Sequence, residues 1–247
     1  MSSVSYFVTG ASRGLGLEFV TQLLARPNTK VVATARDPTA LPELAALQRC
    51  TPSDRLLVLQ YDVTDFRFSE RVVEESSKFL ENKLDVLIAN AGTVFQRGVG
   101  FQERNWDKAI ETLTVNAVAS FVLLQALLPL MKNAQRRTVL FISSRQASFE
   151  LTQHSPKSVV PLDSWYPDYN VSKAALNMAI LKFGQELKDD GFILVPMSPG
   201  WVRTRGGGDD APLTLHESIR GMLEYLDRVT LNDTTKFVDY QGNAMPW

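Results

Sequence analysis

Short runs rich in valine, isoleucine, leucine and phenylalanine alternate along this chain with longer stretches of helical period. That alternation constrains the fold more than any other feature, because it is the pattern of strands buried on both faces between covering helices. Strands are predicted at Val4–Thr9, Lys30–Ala35, Leu56–Tyr61, Asp85–Ala89, Thr138–Ser143 and Ile193–Met197, with a short last one at Lys236–Tyr240. Helices are predicted at Leu15–Arg26, Pro42–Arg49, Phe66–Glu81, Asn105–Lys132, Tyr169–Lys188 and Leu215–Asp227. The expected fold class is α/β, a doubly wound parallel sheet of about seven strands with helices on both faces. No internal repeat or interdomain linker breaks residues 1–247, so a single domain is expected. Right-handed crossovers then gather the carboxyl ends of the strands on one edge, where ligands of such sheets bind.

The first strand runs into Thr9, Gly10, Ala11, Ser12, Arg13, Gly14, Leu15 and Gly16, where a helical pattern begins. Glycines at such a turn let backbone approach a ligand, and the helix start offers unpaired N–H groups to a phosphate. This is a dinucleotide cradle on a Rossmann-like sheet, although the spacing Gly-x-x-x-Gly-x-Gly differs from the more general Gly-x-Gly-x-x-Gly. The second strand ends in Ala35 followed by Arg36. An acid at that end suits the ribose 2′-hydroxyl of NAD, and a cation suits the 2′-phosphate of NADP. Arg36, with Arg13 as a second guanidinium, favours NADP(H); a register shifted by two residues makes Asp37 a ribose ligand instead.

Tyr169 and Lys173 stand one helical turn apart on a common face. A free phenol titrates near ~10, and a neighbouring ammonium is expected to lower that value. Such a pair can pass a proton to a carbonyl oxygen as hydride arrives from a nicotinamide. Tyr166 is a rival, but only Tyr169 lies one turn before Lys173.

The glycine turn, Asp62-Val63, Asn90-Ala91-Gly92, Asn116, Ser143-Ser144, Tyr169 with Lys173, and Pro199-Gly200 with Thr204 together resemble the short-chain dehydrogenase/reductase family over essentially the whole chain. The tail, from Pro199–Thr204 through Ala211-Pro212-Leu213-Thr214 and Lys236–Gly242 to Pro246-Trp247, is similar to the branch of sniffer-type carbonyl reductases and C-signal proteins. The resemblance implies a catalytic set of Asn116, Ser144, Tyr169 and Lys173. Asn116 would hold a water linked to Lys173, and Ser144 would bond the substrate carbonyl beside Tyr169. It also implies cofactor contacts from Gly10, Ser12, Arg13, Gly14, Leu15, Gly16, Arg36, Asp62, Val63, Asn90, Ala91, Gly92, Tyr169, Lys173, Pro199, Gly200, Val202 and Thr204. Asp62 and Val63 would hold the adenine, Asn90 to Gly92 would line the adenosine side, Lys173 would bind the nicotinamide ribose, and Thr204 the carboxamide. From the residue alone, Asn116 also reads as a buried amide satisfied by backbone.

Ser144 and Tyr169 stand twenty-five positions apart, about double the family spacing. Phe149, Leu151, His154, Val159, Val160, Trp165 and Tyr166 make the inserted stretch apolar and aromatic enough to wall a pocket. Segments 145–168 and 205–217, the second carrying Gly206, Gly207, Gly208, Asp209 and Asp210, are read as substrate lids that overhang the binding edge. The expected activity is NADP(H)-dependent reduction of a ketone, aldehyde or imine in a small, partly apolar metabolite. The alternative keeps the cofactor fold for a non-redox cyclase or isomerase, or for signalling or binding.

Composition narrows the partners. Lysine and arginine number 26 against 27 aspartate and glutamate, a net charge of −1, which offers no field for nucleic acid or anionic lipid. One cysteine, Cys50, makes no internal bridge, and two histidines with one cysteine are too few for a metal cluster. Thr112–Met131 holds no charge and is long enough to span a bilayer, but its polar residues and Pro129 make it a buried helix or a subunit contact. No signal or transit peptide is read at the amino terminus, so the expected location is cytoplasmic. The resemblance implies a homodimer or homotetramer paired through the helices at Asn105–Lys132 and Tyr169–Lys188, with monomers known among the carbonyl-reductase relatives.

Overall fold

A computed structural model of the chain describes residues 3–38, 42–153 and 166–247. Among these residues the strands are β1 Val4–Val8, β2 Thr29–Ala35, β3 Leu56–Gln60, β4 Val86–Ala89, β5 Thr138–Ile142, β6 Ile193–Ser198 and β7 Val238–Asp239. They form one sheet in the order β3-β2-β1-β4-β5-β6-β7, and every neighbouring pair is parallel. The winding reverses between β1 and β4, which puts the ligand crevice at the carboxyl ends of those two strands. The α-helices are α1 Gly14–Ala25, α2 Pro42–Cys50, α3 Ser69–Phe79, α4 Trp106–Leu113, α5 Ala119–Lys132, α6 Phe149–Gln153, α7 Pro167–Leu187 and α8 Leu215–Leu226.

The continuous apolar runs of β1, β2, β4 and β5 follow from burial on both sheet faces. Side chains in β1 divide by parity. Tyr6 and Val8 enter one layer with Phe19 and Leu23 of α1 and Met222 and Leu226 of α8. Phe7 enters the other with Val72 of α3, Leu127 of α5 and Ile180 of α7. Each such fully buried side chain contributes about 1.5–3 kcal/mol relative to exposure.

Several elements depart from the expected pattern. The helix expected over Asn105–Lys132 is broken by a π-helical turn at Thr114–Val118, where the amide of Ala119 reaches back to the carbonyl of Thr114. That wider turn directs Asn116 into the interior while Val118 points outward, 44% exposed. The stretch Trp106–Lys132 is long and apolar enough to cross a membrane, and Leu123, Leu124, Leu127, Leu130 and Met131 bury it against the sheet. Its outer face stays open, so of the two readings the composition left, burial on most sides within one chain is not met and a subunit contact is the one that stands.

The helix expected from Tyr169 starts two residues earlier, because Pro167 supplies a preset φ at its start and Asp168 an acidic first turn. The expected helix at Phe66–Glu81 opens as a 3-10 turn at Phe66–Phe68 and ends at Phe79, and Glu81 and Asn82 carry positive φ.

The lid segment expected over 205–217 is shorter as a loop. Thr214 caps α8 through a capping box with Glu217, so residues 215–217 are helix. Of the 145–168 segment, Arg145–Ala147 is a 3-10 turn and Phe149–Gln153 is α6, a short helix the sequence pattern did not reveal. Its start is held by the tail: Glu150 N and Ser148 Oγ both donate to the carbonyl of Trp247, each at 3.2 Å. His154, Val159, Val160 and Trp165 lie outside the described residues.

Candidate active site

At the end of β1 the chain turns through Gly10, whose φ of 66° favours glycine. A Cβ at Gly10 would stand 3.0 Å from Ala91 Cα, and one at Gly16 only 2.2 Å from the Gly10 carbonyl oxygen. Both positions therefore exclude a side chain, and α1 starts directly against the turn. Arg13 is the N-cap of α1 and offers no side-chain capping bond, so the first N–H groups of the helix face the crevice uncapped.

Thr9 and Asn90 stitch the turn to β4. Thr9 Oγ1 accepts from the amides of Asn90 and Ala91, both at 2.9 Å, and Asn90 Nδ2 donates to the carbonyls of Thr9 and Gly10 at 2.8 and 3.2 Å. The Asn90 amide group, expected to line the adenosine side, thus supports the glycine turn. Ser12 and Leu15 are half-buried within the turn, and Gly14 lies beside Thr204, which brings the turn to the loop after β6.

β2 ends with Ala35 buried, and Arg36 and Asp37 follow as exposed residues. Asp62 Oδ1 accepts from the amide and hydroxyl of Thr64 at 2.9 and 2.7 Å, while Val63 lines a tight groove with Thr9, Ala89 and Ala91. In the loop after β6, Pro199 accepts from Ser218 Oγ at 2.6 Å, Gly200 packs against Leu213 and Tyr240, and Val202 bridges to Leu213. Thr204 Oγ1 accepts from the Gly207 amide at 3.0 Å.

Around Tyr169, Ser144 from the end of β5, Lys173 of α7 and Asn116 of the π turn are drawn together. The Ser144 hydroxyl, just past β5, lies within hydrogen-bonding reach of the Tyr169 phenol. Ser143, by contrast, points inward and donates to Asn177 Oδ1 at 2.6 Å. Lys173 is 3% exposed; its Nζ donates to the Ile142 carbonyl at 2.7 Å and stands 5.6 Å from the centroid of the Tyr169 ring. Gly92 lies beside both Lys173 Nζ and Asn116 Oδ1. Asn116 accepts from the Thr93 amide at 2.7 Å and donates to the Thr93 carbonyl and to Ser172 Oγ at 2.9 and 3.0 Å. Its amide is satisfied by backbone and by Ser172, whose hydroxyl in turn donates to the Tyr169 carbonyl at 2.7 Å.

The electrostatics differ from the simple tyrosine-lysine expectation. Burial pushes the Tyr169 phenol above its ordinary value, the Ser144 hydroxyl pulls it back, and Tyr166 adds to the rise. Burial also lowers the Lys173 ammonium to about 8. The ammonium bonds a carbonyl rather than the phenol, so it does not produce the lowering expected from charge proximity alone. A phenol held neutral beside a hydroxyl donor is set to give up a proton to an oxygen that gains charge.

Gln96, Arg104 and Asp168 have no signal in the sequence. Arg104 and Asp168 form a buried ion pair of 2.6 Å between the loop after β4 and the first turn of α7, directly before Tyr169. They are distant in sequence, and neither type in its place marks a site. Asp168 beside Tyr169 at a helix start is the one hint, and it reads equally as a first-turn acid.

The short chain dehydrogenase family model matches residues 5–211. The chain belongs to that family. Among its short-chain dehydrogenase relatives, the C-signal protein of Myxococcus xanthus is 35% identical over 164 residues, spanning 66% of this chain and 93% of that one. The NADPH-bound carbonyl reductase from chicken fatty liver is similar in structure over 100% of both chains, with a TM-score of 0.88 and 30% identity. The carbonyl reductase Sniffer of D. melanogaster likewise covers 100% of both chains, with a TM-score of 0.88 and 25% identity. This short-chain dehydrogenase therefore shares its whole fold with carbonyl reductases.

Proposed function

We propose that this chain is an NADP(H)-dependent reductase that converts a carbonyl of a small, partly apolar molecule to an alcohol, with Tyr169 as proton donor. The observation that carries the reading is the convergence of Tyr169, Ser144 and Lys173 at the edge of the sheet reached by the glycine turn. The chain fits the cofactor. Gly10 and Gly16 let α1 start tight against the turn and β4, Gly14 leaves open space before the helix, the start of α1 presents uncapped N–H groups to phosphate, and Arg36 follows β2 where a 2′-phosphate needs a cation. The NADPH carried by the chicken enzyme supports the same choice.

When bound, the nicotinamide supplies hydride. The protein's part is to orient the carbonyl between Ser144 and Tyr169 and to protonate the oxygen from the Tyr169 phenol. Ser144 steadies the phenolate left behind, and Lys173, held by the Ile142 carbonyl beside the Tyr169 ring, is placed to bind the nicotinamide ribose. Asn116, fixed by Thr93 and Ser172, positions the Tyr169 turn and the Lys173 side of the site. Asp62, Val63, Asn90, Ala91 and Gly92 serve the adenosine half, and Pro199, Gly200, Val202 and Thr204 the nicotinamide half. Residues 145–153, 166–168 and 205–213 wall the substrate side.

The direct test is NADPH consumption with a panel of ketones, aldehydes and imines. Nucleotide binding without turnover of any carbonyl overturns the reading in favour of a non-redox or signalling role.

A further inference from the structure

The loop between β4 and α4 carries two arginines with different surroundings. Arg104 is compensated: it pairs with Asp168, their side chains 4% and 8% exposed, and also donates to the Val99 carbonyl. Gln96 completes the clamp by donating to Asp168 Oδ2 at 2.6 Å and to the Asn105 carbonyl at 2.9 Å, while its Oε1 accepts from the Asn105 amide at 2.8 Å. This buried network fixes the loop to the turn that bears Tyr169.

Arg97, the residue after the clamped Gln96, is exposed. Its guanidinium donates to the Gly206 carbonyl at 2.7 Å and lies 5.9 Å from the centroid of the Tyr166 ring. Tyr166 in turn meets Tyr169 edge to face at 5.9 Å. Asp209 and Asp210 follow on the Gly206 loop, yet among the described residues no carboxylate lies within ion-pair distance of Arg97. Among the described residues, a neutral carbonyl and an aromatic face hold the guanidinium in place without cancelling its charge. They leave further N–H donors in the planar fork that matches a carboxylate. The cation spans the two loops that flank Tyr169, on backbone already ordered, so a bound anion loses little to reorganisation.

Resting on the reductase reading above, we infer that Arg97 is a substrate-binding residue for a carboxylate, and that the carbonyl substrates of this enzyme are oxo acids. Arg97 and Tyr169 each meet the Tyr166 ring, at 5.9 Å from its centroid, so a substrate that reaches both carries its carboxylate several carbons from the carbonyl, and a 2-oxo acid is too short.

The test compares ω-oxo acids of increasing length with their methyl esters in NADPH oxidation. The acid is expected to exceed its ester in kcat/KM by at least about tenfold, the scale of one charge-assisted hydrogen bond, with the difference mainly in KM. Arg97→Ala should reduce that ratio to near unity, and Arg97→Lys should retain part of it. Esters favoured over acids in the wild type, or a ratio unchanged in Arg97→Ala, overturns the inference. A second arm separates it from the reductase reading: titration calorimetry of the NADP-loaded protein with the corresponding ω-hydroxy acids, which need no turnover. Binding that weakens at least about tenfold in Arg97→Ala upholds Arg97 even where no carbonyl is reduced. Equal binding by both proteins overturns it even where reduction proceeds.

Discussion

Lys173 keeps an ammonium where burial removes water, and this has a measurable sign. Its folded-state value is about 8 against an ordinary 10.5. Below about pH 8 both folded and unfolded chains hold the proton, and the full desolvation cost weighs on the fold. Between about 8 and 10.5 the unfolded chain binds more protons, so stability from this residue rises with pH. The raised Tyr169 phenol acts in the opposite sense only above its ordinary value of 10.0. Urea denaturation of Lys173→Met between pH 8 and 10 should therefore show a less positive dependence of stability on pH than the wild type. An identical slope in the two proteins contradicts a buried, depressed ammonium. Much of this residue-scale chemistry is legible in sequence, since Tyr169 and Lys173 share a helix face by spacing alone. The hydrogen-bond partners are not: nothing in residue type reveals that Asn90 Nδ2 bonds the glycine turn or that Lys173 Nζ reaches the Ile142 carbonyl.

At the scale of elements, the order of strands and helices follows from runs of apolar residues long enough to be buried on both faces. The π turn at Thr114–Val118 escapes such reading because it changes hydrogen-bond register, leaving composition and apolar period intact. The clamp between the loop after β4 and α7 escapes it for another reason. It joins Arg104 to Asp168 across most of the catalytic half of the chain, and only the fold makes them neighbours. Removing one partner leaves the other as an uncompensated buried charge. Arg104→Met should cost about 3–5 kcal/mol in urea denaturation, and Arg104→Met combined with Asp168→Leu should recover part of that loss. A single variant as stable as the wild type would show that the pair is solvated in solution.

For the molecule as a whole, near-zero net charge coexists with local positive groups where the proposed reading puts anions, Arg13 and Arg36 for the nucleotide and Arg97 for the substrate. Arg36→Ala should weaken NADP at least about tenfold while changing NAD little, measured as dissociation constants by calorimetry. Equal losses for both nucleotides contradict a 2′-phosphate contact. The outer faces of α4, the π turn and α7 expose Trp106, Ile110, Val118, Val171, Met178 and Phe183, an apolar stripe that favours self-association. Light scattering at micromolar concentration should report a mass above that of one chain, and Ile110→Glu with Met178→Glu should return it to the monomer. A monomeric wild type removes that role from the stripe.

The central claim is that Tyr169 protonates a carbonyl oxygen in a reaction that consumes NADPH, and the most direct measurement is single-turnover NADPH oxidation by Tyr169→Phe beside the wild type on a carbonyl the wild type reduces. Tyr169→Phe should lose about 10²-fold or more in the chemical step, the typical scale of general acid catalysis, with NADPH affinity retained. Near-wild-type turnover by Tyr169→Phe would contradict it.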